Sequence, residues 1–310
     1  MGSDMLENQK LQEYFIQILG ENLVKTDVPM SEYTTFRAGG RAKFLLGVKN
    51  EEQLKAVIAK LGEVGINTMI IGAGSNILVQ DGGFDGAFVK LVGNFANIDA
   101  RGCEIEAGAG LKLSALSAFA RDNSLSGLEF ACGIPGSVGG GIFMNAGAYG
   151  GEIAQVIKSV KVLTKDGEIL KLENQDIDFS YRNSRFQNTE EIILSAIFSL
   201  KIGAEEEISN EMKELMQRRN TKQPVNIPSA GSFFKRPESG YAGKLIEDAG
   251  LKGFGVGDAQ VSSLHSGFIV NKGKAKASDI IELMHIVQKT VKDKFDVSLN
   301  PEVRIVGRSE

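Results

Sequence analysis

Five groupings of residues in this 310-residue chain have types and spacings that could do chemistry. Two are glycine loops. The first reads Ile71-Gly72-Ala73-Gly74-Ser75-Asn76, and the second runs from Gly133 to Gly151 as GIPGSVGGGIFMNAGAYGG, eight glycines in 19 residues. Glycine lets backbone N–H groups come close to an anion. The first loop lacks the third glycine of a dinucleotide fingerprint, because position 77 is Ile77, and no Lys-Ser or Lys-Thr makes it a Walker loop. In the second, Ser137 is placed to cap a short helix whose N–H groups would face a diphosphate. Gly139, Gly140 and Gly141 leave room there for a flat ligand or for another helix. A tight turn and a glycine-rich packing helix are the plain alternatives for the two segments.

The third grouping is basic. No acid occurs from Leu215 to Pro237, while Arg218, Arg219, Lys222, Lys235 and Arg236 do. Such a window suits a phosphorylated ligand, and equally a solvated helix end. Inside it, Ala230-Gly231-Ser232-Phe233-Phe234 is an apolar stretch with one hydroxyl. The last two groupings, Tyr181-Arg182-Asn183-Ser184 and Asn300-Pro301-Glu302-Val303-Arg304, each set charge beside apolar neighbours. Either can be a reactive pair of groups or a structural ion pair.

Composition narrows the chemistry. Cys103 and Cys132 are the only cysteines, His265 and His285 the only histidines, and no metal-ligand spacing joins them, so no metal site is expected. The net charge is −4 with a sequence pI near 5.5, which disfavours nucleic acid as a partner. No run of 18 apolar residues occurs and no signal-peptide core is visible, so a cytoplasmic address is expected and no membrane. Glycine is high, 37 of 310, but proline is only 6, which places the glycine in ordered turns rather than linkers.

The elements that must position these residues are legible in outline. An amphipathic helix is expected over 6–19, a strand over 44–48, a helix capped by Asn50 with Gln53 completing a capping box, and a strand over 68–71 parallel to the first. Short strands at 87–91, 104–107, 156–164, 168–172 and 192–200, with a turn at Asp166-Gly167, read as a second α+β unit. A helix from Glu205 to Arg219 opens a third, and a long helix runs from Ser278 to about Phe295.

Taken in order, Thr34-Thr35-Phe36-Arg37-Ala38-Gly39-Gly40, the two glycine loops, YRNS, AGSFFKRP, AGLKG (249–253) and NPEVR resemble the UDP-N-acetylenolpyruvoylglucosamine reductase family over nearly the whole chain. The short run between Pro237 and Ala249 resembles the form of that family without a tyrosine-bearing loop. The resemblance implies an α+β chain with the FAD-binding fold of the vanillyl-alcohol-oxidase type and a third, substrate-binding α+β domain. The implied boundaries are 1–89, 90–203 and 204–298, with 299–310 returning to the flavin.

It also implies non-covalent FAD, NADPH as hydride donor, and UDP-N-acetylglucosamine enolpyruvate as substrate in peptidoglycan synthesis, with a monomer favoured. Cofactor contacts fall on Ile71, Gly72, Ala73, Gly74, Ser75, Asn76, Gly133, Ile134, Pro135, Gly136, Ser137, Gly139, Gly140, Asn145, Ala146 and Gly147. Arg182 and Glu302 would flank the substrate carboxylate, Ser232 would protonate C2, and Tyr149, Lys222 and Arg236 would bind the rest of the substrate. The alternatives are another FAD-linked oxidoreductase of the same fold and a non-catalytic UDP-sugar-binding module.

Overall fold

A computed structural model describes residues 2–309 of the chain, which divide into two compact units. The first holds the N-terminal stretch through Thr26, Lys43–Ala73 and Gly86–Gln217; the second holds Asp27–Ala42, Gly74–Asp85 and the chain from Arg218 on.

In the first unit the opening helix, Gly2–Leu19, buries Leu11, Phe15 and Leu19 at helical spacing. Helix Glu51–Glu63 starts where expected because Asn50 Oδ1 accepts the Gln53 N–H at 2.9 Å. The reciprocal half of the expected capping box is displaced by one residue: Gln53 Oε1 accepts the N–H of Lys49, not of Asn50. The strand that follows, Asn67–Ile70, pairs parallel, with Phe84–Leu91. The four-stranded sheet runs in the order 24–29, 41–48, 84–91, 67–70, so strand 84–91 lies between the two strands expected to form a βαβ pair.

A five-stranded sheet follows, with strands in the order Ile169–Glu173, Ile157–Leu163, Ile192–Ser199, Glu104–Gly108 and Ile98–Arg101, every pair antiparallel. Asp166-Gly167 sits in its hairpin, with Gly167 at φ +81°. Helices Leu113–Asp122 and Val138–Phe143 accompany it. One apolar core serves both sheets, from Phe44, Leu54 and Val89 to Ile105, Val160 and Phe198. Helix Glu205–Lys222 buries Ile208, Met212 and Leu215 and continues three residues past Arg219.

The second unit contains a sheet ordered Ser229–Ser232, Phe268–Asn271, Ala259–Val261 and Gly255–Val256, with helices Ala242–Asp248 and Ala277–Phe295. Its core joins Phe36, Leu78, Phe233, Ile280, Leu283 and Val287. Asp81, nearly two hundred residues earlier, caps the long helix: its two carboxylate oxygens accept the N–H groups of Ala277 and Ser278 at 2.9 and 2.8 Å. The apolar tail forms strand Arg304–Val306, parallel to Ile77–Val79. Among the described residues no helix is long and apolar enough to cross a membrane, and no cluster could hold a metal ion.

Candidate active site

The first glycine loop leaves strand Asn67–Ile70 at Ile71, whose N–H bonds to Val89 O at 2.9 Å, and re-enters extended structure at Ile77–Val79. Gly74 has φ +64°, and a Cβ on it would lie 2.1 Å from Tyr33 O. Both facts demand glycine there, and both arise from the protein's own backbone. The Gly74 carbonyl is held by the Thr35 N–H at 3.0 Å. Among the described residues the amides of Gly72, Ala73 and Gly74 have no hydrogen-bond partner.

In the second segment Ser137 caps helix Val138–Phe143 as expected, Oγ accepting the Gly140 N–H at 3.3 Å. The helix amides are not available to a diphosphate, however. Val138 N–H is taken by Leu111 O and Gly139 N–H by Ala109 O, both at 2.8 Å. The donors left over, among the described residues, are the amides of Gly133, Gly136 and Ser137, one turn earlier. The three consecutive glycines divide in the same way. A Cβ on Gly139 would press on Ala109 at 3.0 Å and one on Gly141 on Leu113 at 3.0 Å, so these two pack the protein. Gly140 is exposed, and its Cβ would meet only Ser137 Oγ at 3.4 Å.

Asn145, Tyr149 and Arg182 stand out by backbone conformation, with φ of +41°, +55° and +54°. Positive φ is uncommon outside glycine, and for bulky residues it costs on the order of 1 kcal/mol or more, which the surrounding contacts must hold in place. Those contacts are specific. The fully buried Asn145 side chain donates to Ser180 O at 3.0 Å and accepts the Ala154 N–H at 2.9 Å. Ser180 and Asn183 exchange two backbone hydrogen bonds, forming the tight turn that carries Arg182. Arg182 Nη2 donates to Gly147 O at 2.9 Å, and its guanidinium lies over the Tyr181 ring at 5.2 Å. Gln187, which no sequence motif marked, donates to Arg182 O and to Phe143 O, both at 3.0 Å. Ala146 and Gly147 continue the segment: the Ala146 carbonyl accepts the Ile153 N–H, and a Cβ on Gly147 would lie 2.6 Å from Gly151 O.

In the second unit the structure brings Ser232, Glu302 and Asn76 together. Glu302 N–H donates to Phe233 O at 2.8 Å, so NPEVR runs alongside the strand that ends at Ser232. Asn76 Nδ2 donates to Glu302 O at 3.2 Å, and Asn76 O accepts the Arg304 N–H at 3.1 Å. Ser232 is exposed, and its hydroxyl has no partner among the described residues. It is therefore not the buried, backbone-bonded serine that an apolar stretch suggests. Lys222 is exposed as the last residue of its helix, and the Arg236 guanidinium stacks over the Tyr241 ring at 4.5 Å.

These donor sets fit an elongated dinucleotide. Each glycine loop offers unpartnered backbone amides, and an anion needs donors of that kind.

Comparison with known proteins agrees. The family model for the UDP-N-acetylenolpyruvoylglucosamine reductase C-terminal domain matches residues 223–306, and that for the FAD binding domain matches 42–173. A UDP-N-acetylenolpyruvoylglucosamine reductase of Clostridium novyi is 48% identical over 97% of this chain and 96% of its own. One of Lactobacillus acidophilus is 46% identical over 92% of this chain and 95% of its own. The crystal structure of the Thermus caldophilus enzyme of that name superposes with a TM-score of 0.79 at 36% identity, covering 90% of this chain and 97% of that one. Sequence, fold and the two glycine loops therefore agree that the chain belongs to the UDP-N-acetylenolpyruvoylglucosamine reductase family and is an FAD-dependent oxidoreductase with an α+β fold.

Proposed function

We propose that the chain reduces UDP-N-acetylglucosamine enolpyruvate to UDP-N-acetylmuramate for peptidoglycan synthesis, using non-covalently bound FAD and NADPH. The observation that carries the chemistry is the exposed, unpartnered Ser232 hydroxyl on the strand that Glu302 flanks. Family membership over nearly the full length supports the substrate.

Bound flavin supplies the hydride, delivered to C3 of the enolpyruvyl group. The chain's own residues handle the charge and the proton. As C3 gains hydride, negative charge develops at C2 and its carboxylate. Arg182 is assigned to meet that charge; the Gly147 and Tyr181 contacts pre-order its guanidinium, so it needs little reorganisation. The Ser232 hydroxyl is assigned to give its proton to C2. A hydroxyl is a weak acid in water, but against a basic enolate it need not be a strong one. Glu302 is assigned to the carboxylate end of the substrate, and Tyr149, Lys222 and Arg236 to the parts remote from the reacting carbons.

Backbone of the two loops is assigned to the cofactor, from Ile71, Gly72, Ala73, Gly74, Ser75 and Asn76 and from Gly133, Ile134, Pro135, Gly136 and Ser137, with the open Cα of Gly140 beside them; Gly139, bonded to and packed on Ala109, is not among them. Asn145, Ala146 and Gly147 take the ring end. The side chain of Asn145 is committed to Ser180 and Ala154, so its part is to shape the backbone. The functional division 1–89, 90–203, 204–298 and 299–310, a monomeric state and a cytoplasmic address belong to the same proposal.

The test is colour. The purified protein should be yellow, bleach anaerobically with NADPH, and regain colour on adding the enolpyruvyl substrate. Bleaching without recovery would sink the substrate assignment, and a colourless protein that takes up no FAD would sink the cofactor.

A further inference from the structure

His265 is half-buried in the second unit and has no role in the assignments above. Its Nδ1 accepts the Gly267 N–H at 3.1 Å. A ring nitrogen that accepts carries no proton, so this bond requires the neutral imidazole with its hydrogen on Nε2. The Gly267 carbonyl in turn accepts the Phe233 N–H at 2.8 Å, and Phe268 stands opposite Ser232 in antiparallel register. Pairing along strand Ser229–Ser232 is irregular between its two ends, so the Ser232 end depends on this turn.

The ring has a built seat. A Cβ on Gly267 would lie 3.0 Å from His265 Cε1, one on Gly243 3.2 Å from the same atom, and Phe268 meets the imidazole edge-on at 5.1 Å. The turn is closed on its other side by the buried Ser262, whose Oγ accepts the N–H groups of Leu264 and His265 at 3.2 and 3.3 Å.

We propose that His265 is a positioning residue for Ser232: its neutral imidazole fixes the Gly267 turn, and the turn holds the Ser232 end of its strand in place. When His265 is protonated, both ring nitrogens donate, and the Gly267 N–H faces a donor instead of an acceptor. Burial pushes His265 below its ordinary value, outweighing a hydrogen bond to its own backbone that favours the cation. The charged groups facing it are Glu247 on helix Ala242–Asp248, which favours the cation, and Lys252, which opposes it; the two pair with each other at 3.0 Å. The neutral form is thus the one present at neutral pH.

The inference rests on reading Ser232 as the proton donor, and the experiment separates the two. In the holoprotein labelled with ¹⁵N-glycine, serine and phenylalanine, the Gly267, Ser232 and Phe233 amide resonances are followed from about pH 8 to about pH 5. They should move with one common midpoint, and in His265→Asn, whose Oδ1 can still accept, the movement should vanish.

Stopped-flow kinetics supply the second readout. His265→Asn should keep substrate-driven flavin reoxidation within about threefold of wild type at neutral pH, and should lose the decline on acidification. His265→Leu should slow that step roughly tenfold to a hundredfold, with NADPH-driven reduction unchanged. Ser232 and Phe233 amides that stay still while Gly267 titrates would overturn the proposal. So would Asn and Leu variants that are equally slow. Ser232→Ala run alongside reports on the proton-donor reading alone, since the amide titration does not depend on it.

Discussion

A Cβ placed on Gly72 would lie 2.3 Å from Ser137 Oγ, so the first glycine loop and the cap of the second loop's helix are in direct contact. No larger residue fits at position 72 while Ser137 keeps its hydrogen bond to Gly140.

This contact separates fold from cofactor among the glycines. Gly72→Ala should drive the Ser137 hydroxyl off Gly140 and lower both the melting temperature and the FAD content. Gly74→Val should fail for a local reason, its left-handed φ and the Tyr33 carbonyl, with or without cofactor. Gly140→Val has open space, so its apoprotein should melt within a few degrees of wild type while FAD absorbance falls. Full FAD occupancy in Gly140→Val would remove that residue from the cofactor face.

Ser232→Ala should leave anaerobic flavin reduction by NADPH nearly normal and slow reoxidation by substrate. A positioned acid is typically worth ~10²–10⁴ in rate, and that is the loss expected. Because the hydroxyl is exposed and unpartnered, no compensating loss of stability is expected from its removal. Reoxidation within a factor of a few of wild type would show that the proton comes from elsewhere.

Lys222 is the exposed last residue of its helix and is assigned to a part of the substrate remote from the reacting carbons. Lys222→Ala should raise substrate KM more than it lowers kcat, since binding charge remote from the chemistry contributes equally to ground and transition states. Steady-state kinetics decide it: an unchanged KM with a large loss in kcat would be the wrong outcome for this role.

Asp81 makes stability depend on acid. Burial pushes its carboxyl up, but hydrogen bonds from Ser278 and Ala277 and the charge of Lys276 outweigh that and hold it below its ordinary value. A carboxyl with a depressed folded pKa stabilises above its unfolded pKa, near 3.9, and the contribution is lost as pH falls through the folded value. Asp81→Asn should therefore cost about 0.5–1 kcal/mol at neutral pH, the low end for a partly solvated cap. The difference from wild type should shrink below about pH 4. A gap in urea midpoints that is the same at neutral and acid pH would rule this out.

The sequence by itself determined what neighbours within one turn decide. Helix Glu51–Glu63 follows from Asn50 and the spacing of Leu54, Val57 and Leu61, and the hairpin at Gly167 from one dipeptide, because caps, periodicity and turns act over three or four residues. The ordered motifs likewise sufficed for the family. The tertiary structure decided what depends on groups far apart in the chain. Strand 67–70 pairs with 84–91 through a register no local pattern encodes. Of three identical glycines, Ala109 and Leu113 claim two and leave Gly140 open, and the carbonyls of Leu111 and Ala109 take the first two helix amides. Ser232 lies in an apolar stretch beside the buried Phe233 and Phe234, and regular alternation would put it on the face of the buried Ala230; the irregular pairing between Ser229 and Ser232, with Gly231 at φ +79°, leaves it exposed instead. A residue type says which bonds a group can make; which of them remain unmade, and so available to a ligand, is settled only when distant backbone has been packed against it.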